Sequence, residues 1–123
     1  MRTALGVAVD TALICLFAAI GRRNHGETSA LLGIVTTAWP FLAGMAVGWL
    51  VSRLAFHLDP LRLRGGIPVW LSTVAIGMLL RSLTHAGTAP SFIVVASLFL
   101  GAALLGWRAL AGLVRSPAPA RQQ

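Results

Sequence analysis

Charge is scarce in this chain, and lysine is missing altogether. Only 11% of the 123 residues are charged, against about a quarter in an ordinary soluble domain. Too few polar side chains remain to coat a water-facing surface, so a conventional soluble domain is excluded and membrane is the default class. All ten basic residues are arginine, set against three acids for a net charge of +7. That surplus is not a nucleic-acid signature. The arginines stand singly or in pairs at the ends of apolar runs, as topology determinants do, instead of forming a phosphate-binding stripe. Cysteine occurs once, at Cys15, which excludes an intrachain disulfide and a cysteine-based metal site. It lies mid-run and reads as a small buried hydrophobe. Paired carboxylates, a glycine-rich phosphate loop and a nucleophile with an assured base are all absent, so nothing supports an enzyme. No cofactor is expected.

What is present is apolar length. Residues 3–21, 30–56, 67–84 and 91–114 form four runs separated by "GRRNHGE", "HLDPLRLRGG" and "HAGTAP". At about 1.5 Å per residue each matches or nearly matches a hydrocarbon core of about 30 Å. No run alternates with period two, and hydrocarbon leaves no backbone group unpartnered, so the expectation is helix throughout. The fold class is an all-α integral membrane four-helix bundle, one domain over residues 1–115. Residues 116–123, "SPAPARQQ", are polar and proline-broken and predict a disordered cytoplasmic tail. The opening "MRTALGVAV" has signal-peptide character and "ALIC" hints at a lipoprotein box. Asp10 inside the run, the bulk of Ile14 and a run of about 19 residues favour an uncleaved spanning helix.

Arginine counting gives the orientation. Arg2, Arg53, Arg62, Arg64, Arg108, Arg115 and Arg121 fall on the side of the termini; Arg22 and Arg23 fall opposite, with Arg81 near them. Both termini are therefore expected in the cytoplasm of a bacterial inner membrane. Trp49, Trp70 and Trp107 sit where an interfacial belt would place them; Trp39 does not.

Helices in lipid associate through close backbone approach. "GMAVG" sets Gly44 and Gly48 four apart on helix two, and Ala102 and Gly106 repeat the spacing on helix four. Such strips serve either packing within one chain or a homodimer seam. Pro40 removes a backbone hydrogen bond inside helix two and predicts a kink.

The anomaly is Asp10. A carboxylate within a span costs on the order of 3 kcal/mol and is retained when it faces the bundle interior with a partner, or is protonated. Arg81 and Arg108 are the candidates. Depth favours Arg108; burial favours Arg81, because Arg108 is close enough to the boundary to snorkel. Thr73, Gly77, Arg81 and either Thr84 or His85 recur at helical spacing on helix three. Arg22, His25, Glu27 and His85 form a predicted polar cluster at the outer face. His25, His85 and Glu27 are the one group able in principle to share a metal, and no metal site is assigned.

The order of Asp10, "GRRNH" at 21–25, "WPF" at 39–41, "GMLLR" at 77–81, "SF" at 91–92 and "GWR" at 106–108 resembles the small membrane proteins grouped as domain-of-unknown-function family 3054. The resemblance runs from helix one to Arg108. It implies a polytopic bacterial membrane protein, lends no catalytic residues, and directs attention to Asp10, Arg22, His25, Arg81 and Arg108. Three functions stay open. The first is a small transport or permeation unit with a protonatable or ion-paired Asp10. The second is a non-transporting accessory or scaffold protein. The third is a lipid-binding protein using Arg62 and Arg64 on anionic headgroups. The expected partners are the bilayer and either a second copy or another membrane protein, and no nucleic acid.

Overall fold

The structure, a computed structural model, describes residues 2–22, 30–86 and 88–115. Among these, four long helices account for nearly everything: α1 Arg2–Arg22, α2 Ala30–Leu50 continuing as a π-helical stretch Val51–Ala55, α3 Leu63–Leu83 and α4 Pro90–Arg115. All four are long and apolar enough to cross a membrane. The predicted tail at 116–123 lies outside the described residues.

Each helix packs on its neighbour in sequence, and α4 returns to α1 to close the bundle; the α2–α3 seam is the most extensive. Gly44 and Gly48 lie in that seam. A β-carbon at Gly44 would stand 2.6 Å from the Ser72 carbonyl oxygen, and one at Gly48 would stand 2.7 Å from Val69 Cα. The hydroxyl of Ser72 donates to the Gly44 carbonyl at 2.8 Å across the same seam. Backbones this close gain dispersion contacts that lipid cannot supply. On α4 the outcome differs. Ala102 is exposed, and a β-carbon at Gly106 would meet nothing within 4 Å. Among the described residues, the Ala102–Gly106 pair therefore makes no close helix contact. Gly101, one residue before Ala102, does the packing: it admits the indole of Trp70, whose N–H donates to the Ser97 carbonyl at 3.0 Å.

The core is apolar and aromatic. Ile14, Phe17, Phe41, Met45, Val69, Leu100 and Leu104 are buried together. Phe17 meets Phe41 edge-on at 5.4 Å between centroids and lies 5.5 Å from Phe99. The outward surface is apolar as well: Leu5, Leu54, Leu98, Leu110 and Leu113 are all exposed. A bundle that is greasy on both faces belongs in lipid.

One boundary and one irregularity differ from the sequence expectation. Helix three begins at Leu63, not near residue 67, so Arg64, Gly65 and Gly66 are helical. The cause is the turn before it. Asp59–Pro60 opens a β-turn closed by Arg62 N–H donating to the Asp59 carbonyl at 3.0 Å, with the Asp59 carboxylate accepting from the Leu61 amide at 2.9 Å. Proline after aspartate pre-sets such a turn, and the helix starts directly from it. Pro40 is buried inside α2, and the departure from α-helical bonding occurs later, at Val51–Ala55, where Phe56 N–H reaches the Val51 carbonyl at 3.1 Å.

Candidate functional site

Asp10 is fully buried, and so is Arg108. They meet in a two-pronged ion pair joining the first helix to the last. Arg108 Nη1 donates to Asp10 Oδ1 at 2.9 Å and Nη2 donates to Oδ2 at 2.8 Å. Each carboxylate oxygen takes a second donor from an indole: Trp107 Nε1 to Oδ1 at 2.8 Å, and Trp49 Nε1 to Oδ2 at 2.9 Å. A carboxylate offers about four lone-pair directions, and all four now face an N–H. The arginine is almost as completely engaged. Its Nε donates to the Pro60 carbonyl at 2.6 Å, and Nη1 donates a second time to the Leu104 carbonyl at 2.8 Å. The guanidinium carbon lies 4.7 Å from the Trp107 ring centroid and 5.9 Å from that of Trp49, within cation–π range.

Local sequence builds this arrangement from four directions. On α1, Gly6 lies one turn before Asp10, and a β-carbon there would press on Leu61 and stand 3.0 Å from the Trp49 ring. On α3, Gly66 leaves the volume that the Arg108 stem occupies; a β-carbon there would lie 2.7 Å from Nε. The short connection between α2 and α3 folds inward, with Pro60 buried and its carbonyl aimed at the arginine. Ser52, also buried, ties the end of α2 to the Gly65 carbonyl at 3.0 Å. Two opposite charges, two indoles and a turn carbonyl therefore share one dry pocket. Removing either charge leaves the other buried without its counter-ion, a loss of about 3–5 kcal/mol.

Of the two arginines weighed as partners, the structure pairs Arg108 with Asp10 and sets Arg81 apart. Arg108 does not snorkel; the 56–62 connection covers it. Arg81 ends α3, donates from Nη2 to the Ala86 carbonyl at 2.9 Å and lies 4.5 Å over the Phe92 ring. It borders a crevice of about 380 Å³ with Phe17, Thr36, Thr37 and Phe92. Of the predicted outer cluster, His25, Glu27 and the Arg22 side chain lie outside the described residues. His85 is exposed and serves the helix end. With φ of 58° it is the left-handed residue of a Schellman turn, its N–H donating to the Ser82 carbonyl at 3.2 Å while Ala86 N–H reaches the Arg81 carbonyl at 2.8 Å. His57, φ 53°, holds the matching place after α2. Both histidines stand where glycine is usual, and histidine is among the side chains that tolerate this conformation. Among the described residues, no group of three or more His, Cys, Asp or Glu side chains could hold a metal.

The sequence reading missed the indoles. Trp49, Trp70 and Trp107 were expected at a lipid interface; all three instead point their N–H groups at protein acceptors, and the exposed one is Trp39 at 43%. A usable signal existed: Asp10, about two turns after the start of α1, and Trp49 and Trp107, about two turns before the ends of their helices, lie at similar depth from one end of the bundle, and an acceptor-only carboxylate requires donors at its own depth. The Pro60 carbonyl left no signal, because its role depends on the path of a connection.

A family described as protein of unknown function (DUF3054) matches residues 7–111, a stretch that contains both members of the ion pair. No curated protein and no solved structure matches the chain.

Proposed function

The chain belongs to the DUF3054 family, whose description supplies no activity, and from its buried ion pair we propose that it is a non-transporting membrane scaffold. In this reading the Asp10–Arg108 pair is a lock that holds α1, α4 and the α2–α3 connection in one arrangement, and the rigid bundle serves as an accessory to another membrane protein. The observation that carries it is saturation. Both carboxylate oxygens accept two N–H donors each, and neither charged side chain has any exposed surface. An exchanging carboxylate in a transport path needs a vacant lone pair and access to water. Asp10 has neither a free lone pair nor exposed surface, and neither it nor Arg108 lines the crevices at Arg81, Arg53 or Trp107. The transport reading is correspondingly the weaker one.

The arginine count, seven against two or three, supports placing the termini and the 56–62 connection in the cytoplasm of a bacterial plasma membrane. One-sided labelling of a cysteine introduced at position 58 reads that orientation directly.

The decisive experiment joins function to stability. In proteoliposomes the wild type should pass no protons or common ions above empty vesicles. Asp10→Asn and Arg108→Leu should each lower the unfolding temperature, and the double variant should recover part of the loss, because it removes both buried charges together. A wild-type flux that disappears in a folded Asp10→Asn protein would sink the scaffold reading and restore the transport one.

A further inference from the structure

At the end of the bundle where α1 starts, the first turn of α1, the end of α2 and the turn after it border an open cavity of about 480 Å³, lined by Thr3, Arg53, His57, Leu58, Asp59 and Leu61. The acid in its wall is already committed. Asp59 Oδ1 accepts from the Leu61 amide at 2.9 Å and Oδ2 lies 3.9 Å from Arg62 Nε. The arginine is not. Arg53 is exposed, and its guanidinium reaches the Thr3 hydroxyl at a long 3.5 Å. Arg53 belongs to the π-helical stretch, and His57 is fixed beside it by the left-handed backbone that ends the helix. Short π segments within helices are frequent at functional sites. With Arg62 set against Asp59 from just outside the wall, Arg53 supplies the surplus positive charge, and guanidinium, imidazole and hydroxyl groups line the cavity.

Its depth gives the ligand class. Arg53 lies in the last turn of one candidate span and Thr3 in the first turn of another, the level at which hydrocarbon gives way to headgroups. The flanking surface is apolar: Leu50 is 59% exposed, Leu54 66% and Phe56 59%. A donor-lined cavity at headgroup level beside a bare apolar face suits a molecule with an anionic head and hydrocarbon tails. We propose that this cavity binds the phosphate of an anionic phospholipid. Arg53 carries the charge contact, His57 and Thr3 add donors, and the acyl chains lie along Leu50 and Leu54. The guanidinium fork is suited to two phosphate oxygens at once. The proposal does not depend on the scaffold reading, since a transporter could hold the same lipid.

The test uses the purified full chain offered equimolar phosphatidylglycerol and phosphatidylcholine, with retained lipid counted by native mass spectrometry. The wild type should keep phosphatidylglycerol in preference. Arg53→Gln should cut that retention about fivefold with the unfolding temperature unchanged, because Arg53 takes no part in the buried pair. His57→Asn, which tolerates the left-handed backbone, should weaken retention by a smaller factor, and it carries the test if Arg53→Gln unfolds. Arg64→Gln, exposed at the same end but outside the cavity wall and away from Asp59, should leave retention as it was. Equal retention of the two lipids, or an equal loss from Arg64→Gln, would overturn the site in favour of diffuse attraction. Displacement of the lipid by millimolar glycerol 3-phosphate would overturn the lipid assignment in favour of a soluble phosphate ester.

Discussion

The two ends of the bundle hold the same side chain in opposite circumstances. At one end Arg108 is fully buried, forked onto Asp10, capped by a turn carbonyl and faced by two indoles. At the other, Arg81 stands at the rim of a crevice, bonded to the Ala86 carbonyl and resting on Phe92. Both arginines lie within the last two turns of long helices. What separates them is the connection that follows or crosses them. Residues 56–62 fold in beneath Arg108 and exclude water; the chain after α3 turns away through His85 and leaves Arg81 at the edge. The lesson is that depth along a helix sets which charges can meet, and the connections decide which of them become dry.

The sharpest way to break this comparison is to treat both arginines alike. Arg108→Leu should destabilise the protein by about 3–5 kcal/mol, because it strands a buried carboxylate. Arg81→Leu should lose about 1 kcal/mol, the scale of a rim cation–π contact. Chemical unfolding of the two variants in the same lipid or detergent checks the ratio. Similar losses would mean that the burial of Arg108 confers nothing special. A smaller effect sharpens the picture at the locked end. Trp49→Phe keeps most of the ring and removes one of four donors to Asp10, for an expected loss of about 1.5–3 kcal/mol, the range for a hydrogen bond to a charged group. No loss would show the indole to be a bystander. The smallest pair concerns glycine. Gly48→Ala sets a methyl against the α3 backbone and should destabilise by about 1–3 kcal/mol. Gly106→Ala meets open space and should stabilise slightly, by at most about 1 kcal/mol. A destabilising Gly106→Ala would reveal a close neighbour for α4 from outside the chain.

Most of the architecture was legible because hydrocarbon permits so few solutions. Four runs of the right length, without period-two alternation, leave helices as the answer. The start of α3 was not legible, since "LRLRGG" reads as loop; it is helical because the Asp59–Pro60 turn launches it and because Gly66 must leave room for Arg108. At the site, the oddity of Asp10 and the short list of its partners followed from charge and depth alone. The choice between Arg81 and Arg108 did not, because it rests on the Pro60 carbonyl, whose location a sequence does not encode locally. The tryptophans were misread for a related reason. Near a helix end in a membrane protein an indole can serve the interface or the interior, and composition is the same in both cases.

Asp10 and Arg108 are separated by 98 positions in the chain. The acid of the opening helix thus meets its counter-charge only when the closing helix arrives, after the two between them have been made. Until α4 is made, the carboxylate on α1 lacks the charged partner it holds in the folded bundle. The clasp can close only once all four described helices are present.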